Sequence, residues 1–186
     1  MPPLDPRAPL VLDTHELGRR PGAEREIVLA APAPTELGVD VLNVPAESPI
    51  ELSLRLESVM EGVLVTGTAS VALAGECVRC LTDIDEGLTV DLQELYLYDG
   101  DDAEDEETSR MDGELLDLEP VVRDAVVLSL PQNPLCRPDC PGLCTQCGAR
   151  LADDPDHGHG EVLDPRWAAL EGLAVGDEQA PADTKE

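Results

Sequence analysis

Four pairs of potential metal ligands punctuate this chain, and no other feature restricts its fold more tightly. Cys77 and Cys80 form a CxxC, Cys136, Cys140, Cys144 and Cys147 crowd into twelve residues, and His157 and His159 follow in DHGHG. Side chains spaced in this way either converge on metal ions or close disulfides. The N-terminus MPPLDPRAPL lacks the basic start and apolar run of a signal peptide. No window reaches the roughly 18 continuous apolar residues of a membrane span. A cytoplasmic location is therefore expected, where thiols stay reduced and closely spaced cysteines act as ligands rather than as bridges.

The last two cysteines lie in CTQCG, where glycine lets the backbone turn so that N–H groups approach the thiolates. Pro138, Pro141 and Gly142 argue for irregular chain around them. Such chain buries little, but a tetrahedral ion contributing on the order of 10 kcal/mol can organise it. Eight ligands suit two closed Zn2+ sites. The favoured partition places Cys144, Cys147, His157 and His159 on one ion, and Cys77, Cys80, Cys136 and Cys140 on another that staples the segment to the body of the protein. The simpler alternative is a single all-cysteine site built from residues 136 to 147, giving one ion rather than two. His157 and His159 also suit a solvated pair in a Gly/Asp loop, and Cys77 and Cys80 a redox pair. A thioredoxin-type CxxC opens a helix, however, and this one sits between strand patterns. His15 stands apart and receives no role.

Those strand patterns come from periodicity. Ile50, Leu52, Leu54 and Leu56 alternate with Glu51, Ser53, Arg55 and Glu57, which puts one face on a core and the other in water. A turn at Met60–Gly62 leads into VLVTGTASVALAG, and Leu88, Val90 and Leu92 alternate again, so a three-stranded antiparallel meander is expected with the CxxC at one hairpin tip. LVLD at 10–13 and IVLA at 27–30 are further short strands around a Gly/Pro turn at 18–22, and 31–38 reads as a connector. Leu118, Val121, Val122, Ala125 and Val126 fall at helical spacing with Pro120 in the first turn, which predicts a helix at about 118–130.

The fold class expected is α+β: an antiparallel meander or partly open barrel, one packed helix, and a C-terminal zinc-binding segment. Residues 1–9 are expected to be disordered, 10–135 to form the β core with an acidic loop at 99–113, 136–175 to hold the zinc segment with a short C-terminal helix, and 176–186 to be a disordered tail. With 2% aromatic content and no Phe, the core must be built from Val, Leu, Ile and Ala.

Charge narrows the partners. There are 40 acidic residues against 12 basic ones, a net −28, and DGDDAEDEE at 99–107 alone holds seven carboxylates. Such a surface repels phosphate backbones and anionic membranes across a Debye length of about 8 Å. An extensive direct grip on nucleic acid is not expected; if RNA is contacted, Arg19, Arg20 and Arg25 are the first places to look. Basic proteins are the natural partners. No GxSxG, HExxH, P-loop or GxGxxG occurs, and no acid/base dyad is visible, so neither catalysis nor a small-molecule substrate is expected.

The order ECVRCL at 76–81, LDLEPVVRDAVVLSLPQNPLC at 116–136, DCPGLCTQCG at 139–148 and DPRWAALEGL at 164–173 resembles the YceD family, the bacterial large ribosomal RNA subunit accumulation proteins. Eleven arginines to one lysine match its actinobacterial branch, whose members carry a C-terminal zinc-knuckle extension. The resemblance implies ribosome biogenesis through accumulation of large-subunit (23S) rRNA, with a gene commonly beside that of a small zinc-ribbon ribosomal protein. The expected partner is then a basic ribosomal protein or a large-subunit assembly intermediate. The sequence departs from that pattern at His157 and His159, near where such members often carry Cys-x-Cys. Zinc handling or thiol redox service to the neighbouring ribosomal protein is the alternative role.

Overall fold

The computed structural model describes residues 3–35, 37–98, 109–159 and 166. It divides into two compact units, residues 1–141 and 142–186.

Unit 1 is organised by the alternation in β5 (Pro49–Ser58), whose Ile50, Leu52, Leu54 and Leu56 are buried while their neighbours face solvent. After the turn at Met60, β6 (Gly62–Glu76) runs back along β5, and β7 (Asp83–Leu97) pairs with the whole of β6 in unbroken register from Gly62↔Leu97 to Glu76↔Asp83. The expected meander is present. β2 (Glu24–Pro32) adds to the outer edge of β5, and a short hairpin of β3 (Leu37–Val39) and β4 (Leu42–Val44) joins through Leu42↔Gly75. One edge of β6 is thus shared, its residues 63–70 meeting β5 and 74–75 meeting β4. Gly75 permits that approach, since a Cβ there would collide with the Val41 carbonyl.

A separate two-stranded sheet pairs β1 (Val11–Asp13) with β8 (Leu115–Asp117), and the helix α1 (Glu119–Ser129) follows at once with Pro120 in its first turn. Leu118, Val122 and Val126 are buried on its inner face, each such side chain contributing about 1.5–3 kcal/mol of hydrophobic stabilisation. The two tyrosines serve as polar struts in this aliphatic interior. Tyr96 donates its hydroxyl to the Asp117 carbonyl at 2.8 Å, and Tyr98 shares a 3.0 Å hydrogen bond with buried Ser58. Burial, with Glu94 and Asp117 nearby, raises the Tyr96 phenol above its ordinary range, so it stays a donor.

The α+β class holds, with mostly antiparallel sheet and, among the described residues, one helix; the sheets are open and do not close into a barrel. The strands at 10–13 and 27–30 do not pair with each other: β1 joins β8, and β2 is longer and joins β5. The stretch 31–38 is not a plain connector, because it ends β2 and begins β3. Residues 3–9 form hydrogen-bonded turns, with the Leu4 N–H on Asp112 Oδ2 at 2.7 Å and the Ala8 N–H on the Asp5 carbonyl at 2.9 Å. Within the expected acidic loop, residues 109–113 are structured, since Met111 is buried and its N–H meets the Leu97 carbonyl at 3.0 Å. The carboxylate run at 99–107, the helix expected within 164–173 and the tail at 176–186 lie outside the described residues. No helix among the described residues is long and apolar enough to cross a membrane.

Candidate metal centres

The first centre belongs to unit 1 and is assembled from two parts of the chain. β6 and β7 are joined by a tight turn in which the Cys77 N–H meets the Thr82 carbonyl at 2.8 Å and the Leu81 N–H meets the Cys77 carbonyl at 2.9 Å. Leu81 takes φ 55, the left-handed conformation needed to finish the knuckle. Cys77 and Cys80 consequently face inward, 0% and 5% exposed. The chain leaving α1 returns to this tip, pinned by the Val78 N–H on the Pro134 carbonyl at 3.0 Å and by Arg79 Nη1 on the Cys140 carbonyl at 3.0 Å. Cys140 is buried, and Cys136 is the most exposed of the four.

Cys77 Sγ lies 3.8 Å from Cys140 Sγ, Cys80 Sγ lies 3.5 Å from Cys136 Sγ, and all four sulfurs fall within 4.8 Å of one another. A disulfide needs about 2.0 Å between sulfurs. A tetrahedral zinc with Zn–S bonds of about 2.3 Å sets them about 3.8 Å apart, which fits this cage. The surroundings also favour thiolates. Burial pushes Cys77 up, but N–H donors at Cys136, Arg79 and Cys80 outweigh it and bring the thiol down to about 6. Cys80 is lowered chiefly by the Thr82 hydroxyl, 3.1 Å away, against the opposing effect of burial. Cys136 is pushed up to about 12, first by its hydrogen bond with Cys80 and then by burial. Crowding with neighbouring sulfurs thus favours the protonated form of Cys136, and a bound dication would favour its thiolate instead.

The second centre lies wholly in unit 2. Its knuckle is closed by the Gly148 N–H on the Cys144 carbonyl and the Cys144 N–H on the Ala149 carbonyl, both at 2.8 Å, with Gly148 at φ 73. That positive φ is why glycine ends CTQCG. The Gln146 N–H points to Cys144 Sγ at 3.4 Å, and such donors from Gln146 and Cys147 lower the Cys144 thiol to about 6 against the effect of burial. The chain then loops back through a turn in which the His157 N–H meets the Asp154 carbonyl at 3.1 Å. Both imidazoles reach Cys147 Sγ through Nε2 at 3.2 Å, with the two Nε2 atoms 2.9 Å apart. A zinc held by sulfur and imidazole nitrogen would set these separations at about 3.5 Å and 3.3 Å, so the arrangement is slightly compact for the ion. His157 Nδ1 faces Asp154 Oδ2 at 3.6 Å, where a carboxylate can hold the ring with Nε2 turned inward.

The eight sequence-selected residues therefore gather as two groups of four, each geometrically able to hold a metal ion, rather than as one all-cysteine cluster of residues 136–147. The division falls between Pro141 and Gly142, inside the segment that reads as one piece in sequence. Sequence reasoning missed Arg79, Thr82 and Pro134, which orient the first cage. The only signal available was their closeness to CxxC and to Cys136.

Several known proteins resemble the chain. A mycobacterial protein from Mycobacterium tuberculosis, itself uncharacterized, is 45% identical over 167 residues, covering 88% of this chain and 80% of its own length. An uncharacterized protein of Mycobacterium leprae is 38% identical over 181 residues, covering 95% of this chain and 83% of its own. The uncharacterized protein YlbN of Bacillus subtilis is 25% identical over 148 residues, 78% of this chain and 84% of that protein. No solved structure matches. The profile of one family covers residues 65–174, from early in β6 through both clusters of candidate ligands. On that match and the mycobacterial likeness, the chain belongs to the YceD family, whose description is large ribosomal RNA subunit accumulation protein.

Proposed function

We propose that this protein is a cytoplasmic ribosome-biogenesis factor that supports accumulation of large-subunit rRNA through protein contacts, with structural Zn2+ in both clusters and no catalytic activity. The observation that carries the first part is the family match over residues 65–174. Zinc is supported by the donor sets: four sulfurs in one cluster and two sulfurs with two imidazoles in the other, ligands that suit closed tetrahedral zinc. A four-ligand cage leaves no coordination position for substrate, which is the reason for reading the ions as structural. In unit 1, zinc would hold the hairpin tip to the segment after α1. In unit 2 it would organise a loop that has no sheet of its own.

The excess of 28 negative charges favours a basic ribosomal protein as partner, shielded by the acidic surface until it meets RNA. Depleting the protein from its host should lower large-subunit rRNA and leave immature large particles in sucrose gradients, and small-subunit rRNA falling equally would count against the reading. Purified protein should hold one to two equivalents of zinc, about one for each filled cluster, with thiols unreactive until chelator is added.

Zinc handling is the second reading, and the exposure of Cys147 and His159 favours it. A donor site should yield its ion within minutes to a metal-free zinc-ribbon protein. A structural site should retain it.

A further inference from the structure

Away from both clusters, unit 1 contains a cleft of about 290 Å3, near the lower end of the roughly 300–1,000 Å3 of ligand pockets. Its lining comes from the N-terminal turns, from the chain leaving β2 together with the turn before β5, and from the junction of β8 with α1. Pro3, Pro9, Pro32 and Pro34 supply rigid apolar wall with no N–H to offer. The charged lining residues are Asp5, Glu47, Asp117 and Glu119, and no basic side chain is among them.

Hydrogen bonds fix the walls. Leu4 is held by Asp112 at 2.7 Å, and the Leu118 N–H meets the Leu10 carbonyl at 2.9 Å. Opposite them, the Glu47 N–H meets the Ala33 carbonyl at 3.1 Å and the Ala33 N–H meets the Ser48 carbonyl at 2.8 Å. This pair keeps Glu47 at φ 62, a conformation that a non-glycine residue adopts only when its surroundings impose it. The Glu47 side chain enters no ion pair among the described residues, whereas Glu119 is paired with Arg123 at 2.9 Å.

We propose that this cleft binds an extended cationic segment of a protein partner, with arginine or lysine stems lying along the proline walls and their head groups meeting the carboxylates. Apolar walls with an all-acidic charged lining match a long side chain that is apolar along its stem and positive at its tip. Nucleic acid, anionic throughout, does not fit. The inference rests on the reading that the protein works through a basic partner.

The test is fluorescence anisotropy on the full-length protein with a labelled peptide, Leu-Arg-Pro-Leu-Arg-Pro. Asp5→Asn with Glu47→Gln should weaken binding about tenfold, within the range for two peripheral ion pairs. The control pair Glu26→Gln with Glu51→Gln removes the same charge from the exposed face of the sheet and should stay within about twofold of the unmodified protein. Ala8→Phe fills the cleft at constant charge and should weaken the peptide as strongly as the acidic pair. Equal losses in both double variants, an unaffected Ala8→Phe protein, or tight binding of a short RNA at the cleft would each overturn the proposal. If the unmodified protein captures a basic ribosomal protein and the Asp5/Glu47 variant captures it equally well, the cleft proposal falls while the escort reading stands. Failure to capture any basic ribosomal protein removes the escort reading, and the peptide titration still decides the cleft.

Discussion

Cys77 shows how much one side chain is asked to do. It closes the hairpin turn through its own N–H and carbonyl, is fully buried, and lies 3.8 Å from a sulfur 63 residues further along the chain. Cys77→Ser should therefore cost about one zinc equivalent and raise amide exchange at the hairpin tip and in residues 131–141, while residues 142–159 keep their protection. Cys144→Ser should do the reverse. Metal analysis with hydrogen exchange on both variants checks this, and matching damage in the two units would mean that the clusters are not independent. Gly75 makes a different demand, because the strain lies between backbones. Gly75→Ala should cost about 1–3 kcal/mol by overpacking β4 against β6, read as a lowered urea midpoint at unchanged slope.

At the scale of elements, α1 separates packing from propensity. Val126 is fully buried and Leu128, two residues on, is 84% exposed. Val126→Ala should destabilise unit 1 by about 2 kcal/mol, and Leu128→Ala should change it by less than about 0.5 kcal/mol, both by denaturant unfolding. The helix and the three long strands were legible in sequence because each repeats its period several times, as Ile50 to Leu56 and Leu118 to Val126 do. β3, β4 and β8 were not legible: each has three residues, too few to show a period, and β4 and β8 depend on partners distant in sequence. Leu42 is strand because Gly75 leaves room beside it.

For the whole molecule, the two units should respond differently to loss of metal. Unit 1 keeps a sheet whose core is aliphatic and independent of the ions, whereas residues 142–159 contain no strand or helix. Chelation should leave the far-ultraviolet β signal of the sheet in place and abolish exchange protection in residues 142–159. Loss of the whole β signal would show that unit 1 also needs its ion. The acidic surface makes a second demand: binding to a basic ribosomal protein should weaken steeply between low and physiological salt, because screening removes long-range attraction first. Salt-insensitive binding would point to an apolar interface. The ligands themselves were readable from spacing alone. Their division into fours matches the partition favoured from the sequence, although spacing alone left a single all-cysteine cluster open, because Cys136 and Cys140 come within reach of Cys77 and Cys80 only after β7, the 99–108 stretch and α1 have been laid down.

That return also sets what would follow from cutting the chain. Cys77 and Cys80 precede residues 99–108, Cys136 and Cys140 follow them, and the two pairs meet 3.5–3.8 Å apart. A protease site engineered between Tyr98 and Ser109 would therefore sever the polypeptide without releasing either half. β1 would still be paired with β8 across the cut, and an ion in the first cage would clamp one fragment to the other. The nicked protein should run as a single species on a sizing column and separate into two pieces once denaturant and chelator are applied together, so this cage makes the chain a natural candidate for reconstitution from two separately expressed fragments.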